Sequence, residues 1–203
     1  MSTPQAAGGR PRGFDEETVL DRATEVFWRH GYEGTSLTTL TSAMGINRPS
    51  LYATFGSKEQ LFERAFARYR DTQLARVRDA LDRPTAREAV ETFLRSSVDG
   101  LTDDEHPLGC LSVQGGLACS PDNPHVSQVL AAGRAANAAA VEERLVRAAT
   151  EGDLPAGVDP RGLARFVAAL SEGFAVQAAA GADRAELQAA VDVALRALLP
   201  TAG

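Results

Sequence analysis

The sequence predicts an all-α fold, and three observations carry that prediction. No run of residues alternates with the period of two that a half-buried strand requires. Apolar residues instead recur at three- and four-residue spacing from Val19 to Leu198. Helix-capping residues stand immediately ahead of most of these stripes, with Gly or Pro just beyond them.

Residues 1–13 (MSTPQAAGGRPRG) are rich in Gly and Pro and are read as an arm that carries Arg10 and Arg12. Asp15 is placed to cap a first helix, Glu16 and Glu17 suit the positive end of its dipole, and Gly31 is expected to end it. Its apolar face is Val19, Leu20, Ala23, Val26 and Phe27. Ser36 caps a short helix with Leu37, Leu40 and Met44, which stops at Gly45. Asn47 caps another, in which Pro49 is tolerated because first-turn N–H groups lack helical partners. Ser57 and Gln60 form a capping box for a long helix that ends before Arg83-Pro84 and, from 58 to 82, spans about 37 Å. Thr85 and Glu88 open the next helix, with Val90, Phe93, Leu94, Val98 and Leu101 inward. The stretch "LGCLSVQGGLACSPDNP" predicts short or irregular helices. A longer helix runs from His125 to Thr150, and two more carry Leu163 to Phe174 and Leu187 to Leu198.

At 203 residues the chain has room for one or two domains with a sizeable core. Its net charge is −6, but residues 1–58 hold six Arg/Lys against six Asp/Glu, so the acidic excess lies wholly in the remainder. The first part can meet a polyanion if its arginines cluster, and the second part is a poor nucleic-acid surface. No apolar stretch is long enough to span a bilayer, and there is no apolar signal core near residue 1, so a cytoplasmic location is expected. Two cysteines make no disulfide framework.

The segment from Ser36 to Phe55 is two short helices joined by a turn at Gly45, the spacing of a helix-turn-helix. In its second helix Leu51 and Phe55 share one face, while Asn47, Arg48, Pro49 and Ser50 crowd the N-terminal end. Small and polar side chains there fit a major groove and its base edges. Tyr52 and Lys58 offer a hydroxyl and an ammonium to phosphate oxygens, and Thr35 and Ser36 sit at a helix N-terminus suited to a phosphate.

These residues carry a resemblance. "GRPRGFD", "AxxVFWRHGYEGTS" (Ala23 to Ser36) and "AMGINRPSLYATFGSKEQLF" resemble the DNA-binding domain of the tetracycline-repressor (TetR/AcrR) family of bacterial regulators. The resemblance departs at Thr38, where many relatives have arginine, at Thr39, where an acidic residue is usual, and at Pro49, which replaces a glycine. It implies an N-terminal helix-turn-helix DNA-binding domain at 14–62 and a helical ligand-binding and dimerisation domain at 63–203. It further implies a homodimer on a palindromic double-stranded operator, repression relieved by a small-molecule effector, and Thr38 as a DNA contact. Phe93, Leu94, Leu111, Leu117, Leu130, Phe166 and Phe174 become candidate pocket walls, with Asn137 as the amide on an apolar stripe. Leu163, Phe166, Leu170, Leu187, Val191, Leu195 and Leu198, interspersed with small residues, are expected to meet their copies in a four-helix interface.

No cofactor is expected. The set His106, Cys110, Cys119 and His125 (H-x3-C-x8-C-x5-H) raises the alternative of a metal- or thiol-sensing regulator, although the spacing matches no standard zinc finger. An enzyme is disfavoured: a cysteine with a histidine, but no third group or oxyanion element, and no phosphate-cradling glycine loop.

Overall fold

The computed structural model describes residues 15–199. Arg10 and Arg12 lie outside the described residues. Among those described, all regular structure is helical: α1 (Glu16–Gly34), α2 (Leu37–Met44), α3 (Arg48–Phe55), α4 (Lys58–Leu81), α5 (Ala86–Leu101), α6 (Leu111–Leu117), α7 (Pro124–Glu151), α8 (Pro160–Ala179) and α9 (Arg184–Leu198).

The starts are where local chemistry puts them. Asp15, Ser36, Asn47, Ser57 and Thr85 each accept a backbone N–H at a helix N-terminus, and Ser57–Gln60, Thr85–Glu88 and Asp183–Glu186 are complete capping boxes. Gly31 does not end α1. It adopts φ 68° and kinks the helix, and one more turn follows to Gly34. Gly45 ends α2 with φ 69°, a left-handed conformation that glycine enters without steric penalty.

Two apolar clusters result. One gathers Phe27, Leu40, Met44, Leu51 and Phe55 from α1–α3, Phe62, Phe66 and Tyr69 from α4, and Leu111 and Leu130 from α6 and α7. The other joins the last turns of α4 to α5, α7, α8 and α9. Helices α4 and α7 therefore run through both, and the first cluster reaches well past residue 62. Gly133 permits this: a Cβ there would stand 2.7 Å from Phe66 Cζ.

Several expected roles are corrected by this packing. Leu163, Leu187, Val191 and Leu195 are buried inside their own chain, and Leu170 and Leu198 are packed against the same core. The stripe visible in α8 and α9 is the core stripe, since periodicity locates an apolar face without saying what covers it. The face left exposed carries Phe166 (49% exposed) and Val176 (46%) on α8 and Val193 (59%) on α9. Phe166 is thus no pocket wall. Leu111, Leu130, Leu94 and Phe174 are core residues at 1% exposure or less. The side chain of Leu117 lies outside what is described.

Candidate nucleic-acid interface and body cavity

The α2–Gly45–α3 unit stands on the first cluster through Leu40, Met44, Leu51 and Phe55, none more than 3% exposed. Those anchors leave Asn47, Arg48, Pro49, Tyr52 and Ala53 exposed, with Ser50 half-buried beside them. Asn47 Oδ1 accepts the Ser50 N–H at 2.8 Å, so its carbonyl serves as the cap and its NH2 group faces outward from the helix start. Arg48 Nη2 donates to Thr38 Oγ1 at 2.8 Å, which sets the two residues side by side across the turn. Ser36 Oγ accepts the Thr39 N–H at 3.0 Å and lies 2.8 Å from the Thr39 hydroxyl, so threonine joins this cap in place of the acidic residue. Tyr52 is half exposed on α3.

Two expected contacts sit differently. Thr35 is turned inward, 2% exposed, with its hydroxyl donating to Gly31 O at 2.6 Å. That hydroxyl satisfies a carbonyl freed at the α1 kink and is not available to a phosphate. Lys58 Nζ lies 4.3 Å from the centre of the Tyr32 ring, and partial burial lowers its pKa. It is a half-buried ammonium beside an aromatic face, with only part of its charge turned to solvent.

The proposed sulfur–histidine set is dispersed. His106 stacks on Trp28 at 6.0 Å between centroids, Cys119 Sγ donates to Asn123 O at 3.4 Å, and His125 Nε2 pairs with Glu63. Cys110 is elsewhere again, half-buried, with Sγ 3.2 Å from Tyr69 Oη and 3.0 Å from Ser112 Oγ. Helical proximity along the chain does not survive the two intervening loops, so the four do not share one ion.

Cys110 does face a cavity. About 360 Å³ of space lies between the two clusters, walled by Trp28 of α1, Tyr69 and Val77 of α4, Phe93 of α5, Asn137 of α7 and Glu172 of α8, among others. Of the expected wall residues, Phe93 and Asn137 are there. Asn137 Oδ1 is buried without a hydrogen-bond partner, and so is the Trp28 indole N–H, a lone acceptor and a lone donor on walls of one cavity. Burial pushes the Tyr69 hydroxyl well above its usual pKa, and the adjacent Cys110 adds to the shift, so this hydroxyl stays neutral. Sequence reasoning missed Trp28 of α1 and Tyr69 of α4 as cavity walls; the available signal was a tryptophan one step off the α1 stripe, with an indole N–H to satisfy.

Comparison with known proteins agrees with this geometry. Residues 19–65 match the model of bacterial regulatory proteins, tetR family, and residues 84–194 match the tetracyclin repressor-like C-terminal domain. The chain is 30% identical over 190 residues to the HTH-type transcriptional repressor ComR of Escherichia coli, covering 93% of this chain and 90% of that one. It is 36% identical over 194 residues to the HTH-type regulator YezE of Bacillus subtilis, covering 94% and 99%. Among solved structures, a cysteine-substituted form of the TetR family regulator CifR bound to 26-base-pair operator DNA superposes with TM-score 0.89 at 46% identity, over 93% of this chain and 99% of that one. Two family models over separate parts of the chain, relatives matched over nearly its whole length, and the shared helical frame lead to one conclusion: this chain belongs to the tetR family of bacterial regulatory proteins, helix-turn-helix DNA-binding transcriptional regulators.

Proposed function

We propose that the protein is a repressor that binds a palindromic operator as a homodimer and leaves it when a small molecule fills the cavity. The observation that carries this is the presentation of Asn47, Arg48, Pro49 and Ser50 at the exposed N-terminal edge of a helix anchored by buried Leu51 and Phe55. Such an edge reads bases in a major groove, and the operator-bound CifR structure supports the same use of this unit here. Thr38, hydrogen-bonded to Arg48, and Tyr52 and Ser36 supply flanking contacts to the backbone. The exposed Phe166, Val176 and Val193, set among alanines, are the surface on which a second copy docks, and Arg10 and Arg12 add phosphate contacts.

The effector reading rests on the cavity. Its walls reach from Trp28, in the helix that underlies α2 and α3, to Glu172 on α8, so an occupant touches both ends of the machine. The fitting molecule is small and carries an acceptor for the Trp28 N–H and a donor for Asn137 Oδ1. The protein acts where the DNA is, in the cytoplasm, as a regulator without catalysis; among the described residues no helix is long and apolar enough to cross a membrane. A second reading is favoured by one observation, the Cys110 thiol in the cavity wall beside two hydroxyls: a thiol-reactive molecule is then the signal.

The test is selection of binding sites from a random duplex library, followed by anisotropy titration of the recovered sequence. A two-fold symmetric site is expected. Arg48→Ala and Ser50→Ala each cost roughly 1–3 kcal/mol on that site and little on random DNA. If both variants discriminate as well as the parent, α3 is not the reading helix.

A further inference from the structure

His125 fails to join the two cysteines, and its actual neighbours define a different site. It stands in the first turn of α7, with Nε2 paired to Glu63 of α4. Glu59 lies one turn earlier on α4, and residues four apart share a helix face. One ligand atom from each of Glu59, Glu63 and His125 lies within 4.8 Å of the others. We propose that these three side chains bind a divalent transition-metal ion, zinc being the best fit, and that the ion ties the start of α4 to the start of α7.

The chemistry selects the ion. One imidazole with two carboxylates is a donor set that zinc accepts with a fourth position left to water. A histidine nitrogen argues against calcium and magnesium, which take oxygen donors. Zinc holds such donors at about 2.0–2.2 Å, so donors around one tetrahedral ion stand about 3.4 Å apart. The three ligand atoms all lie within 4.8 Å of one another, and drawing them to that spacing needs only rotation of accessible side chains, since His125 is 52% and Glu63 39% exposed. Two carboxylates balance a dication, and Glu59 makes no ion pair among the described residues. The backbone that carries His125 is also held from the other direction. Glu33 of α1 accepts from Ser120 N at 3.1 Å and Asn123 Nδ2 at 2.8 Å, which fixes the loop leading into α7. The loop is thus set before any ion arrives, and only the three side chains must adjust.

The position gives such an ion a consequence. Only two residues separate the end of α3 from the start of α4, and further along α7 Asn137 lines the cavity. An ion at this point fixes how far the start of α4 stands from α7, and so where the reading helix stands relative to the body. This inference is independent of what occupies the cavity.

The experiment uses full-length protein, chelator-treated and then exchanged into chelator-free buffer, carrying Cys110→Ser and Cys119→Ser so that thiols cannot bind the metal. Zinc chloride is titrated in by calorimetry, and cobalt(II) spectra report the coordination geometry. One zinc per chain is expected, with a rise in Tm on binding. His125→Ala and Glu63→Gln are each expected to weaken zinc by at least about tenfold and to abolish that rise, while their metal-free Tm values stay near the parent's. Absence of zinc binding at micromolar concentrations, or equal affinity in either variant, overturns the site.

Discussion

Replacing Gly133 by alanine sets two effects of opposite sign against each other, and the structure decides between them. Inside a helix, alanine is favoured over glycine by about 1 kcal/mol. At this position, however, the new Cβ would lie 2.7 Å from Phe66 Cζ and 3.1 Å from Cε1. Ordinary carbon–carbon contacts are about 3.5–4.0 Å, so the overlap is roughly 1 Å. The ring has little room to retreat. It is 1% exposed and stacked between Phe62 and Tyr69, each 6.0 Å away by centroid. Overpacking of a tight core costs about 1–3 kcal/mol, and a ring held on two sides belongs in the upper half of that range. Subtracting the propensity gain leaves Gly133→Ala destabilised by about 1–2 kcal/mol. For a chain of this size each kcal/mol lowers Tm by about 2–4 °C. The assay is urea unfolding at fixed protein concentration, because a dimer's stability depends on it. Adding Phe66→Leu should relieve the clash, so the double mutant loses less than the sum of the singles. If Gly133→Ala is instead more stable than the parent by about 1 kcal/mol, propensity alone governs, and α4 and α7 are not in the contact described.

Operator binding should be salt-dependent despite the net charge of −6, with a log–log slope of about −4 to −5 from some four to six phosphates per dimer. Lys58→Ala should leave that slope nearly unchanged, because its ammonium stays over Tyr32; a slope flatter by about two units would show that it turns to phosphates instead. Val176→Glu and Phe166→Glu place charge on the exposed α8 face and should shift the protein to monomer in sedimentation velocity, whereas dimers that persist in both variants put the interface elsewhere. Tyr69 is held neutral in the fold with its pKa raised, so the unfolded chain ionises first as pH rises past about 10. Stability should therefore fall above that pH, and Tyr69→Phe should fall less steeply; parallel pH profiles would contradict the burial of this hydroxyl.

What could be read from the sequence was whatever rests on neighbours in the chain. Ser36, Asn47, Ser57 and Thr85 cap helices because each oxygen reaches an N–H only three residues ahead. The reading edge of α3 was legible for a related reason: in a helix of eight residues, placing Leu51 and Phe55 inward leaves Asn47, Arg48 and Ser50 at the outer edge. Thr35 broke that logic because its hydroxyl found a carbonyl released at the Gly31 kink, and Lys58 because a tyrosine from α1 lies against it.

The body shows the limit more sharply. Periodicity gave α8 and α9 one apolar stripe each, and Leu163, Leu187, Val191 and Leu195 do lie on it. Only packing could assign that stripe to the chain's own core and leave Phe166, Val176 and Val193 outside, because burying an apolar face gains much the same free energy against either partner. Asn137 stood out in the sequence as a polar residue on such a stripe, yet the Trp28 that shares its cavity is more than a hundred positions away. His125 meets Glu63 across 62 residues, and that separation hid their pairing from any spacing rule. The local hydrogen bonds of helices are written in adjacent residues; cavities, interfaces and shared ligand sites arise where distant helices cross, and their positions follow from close packing of the whole core.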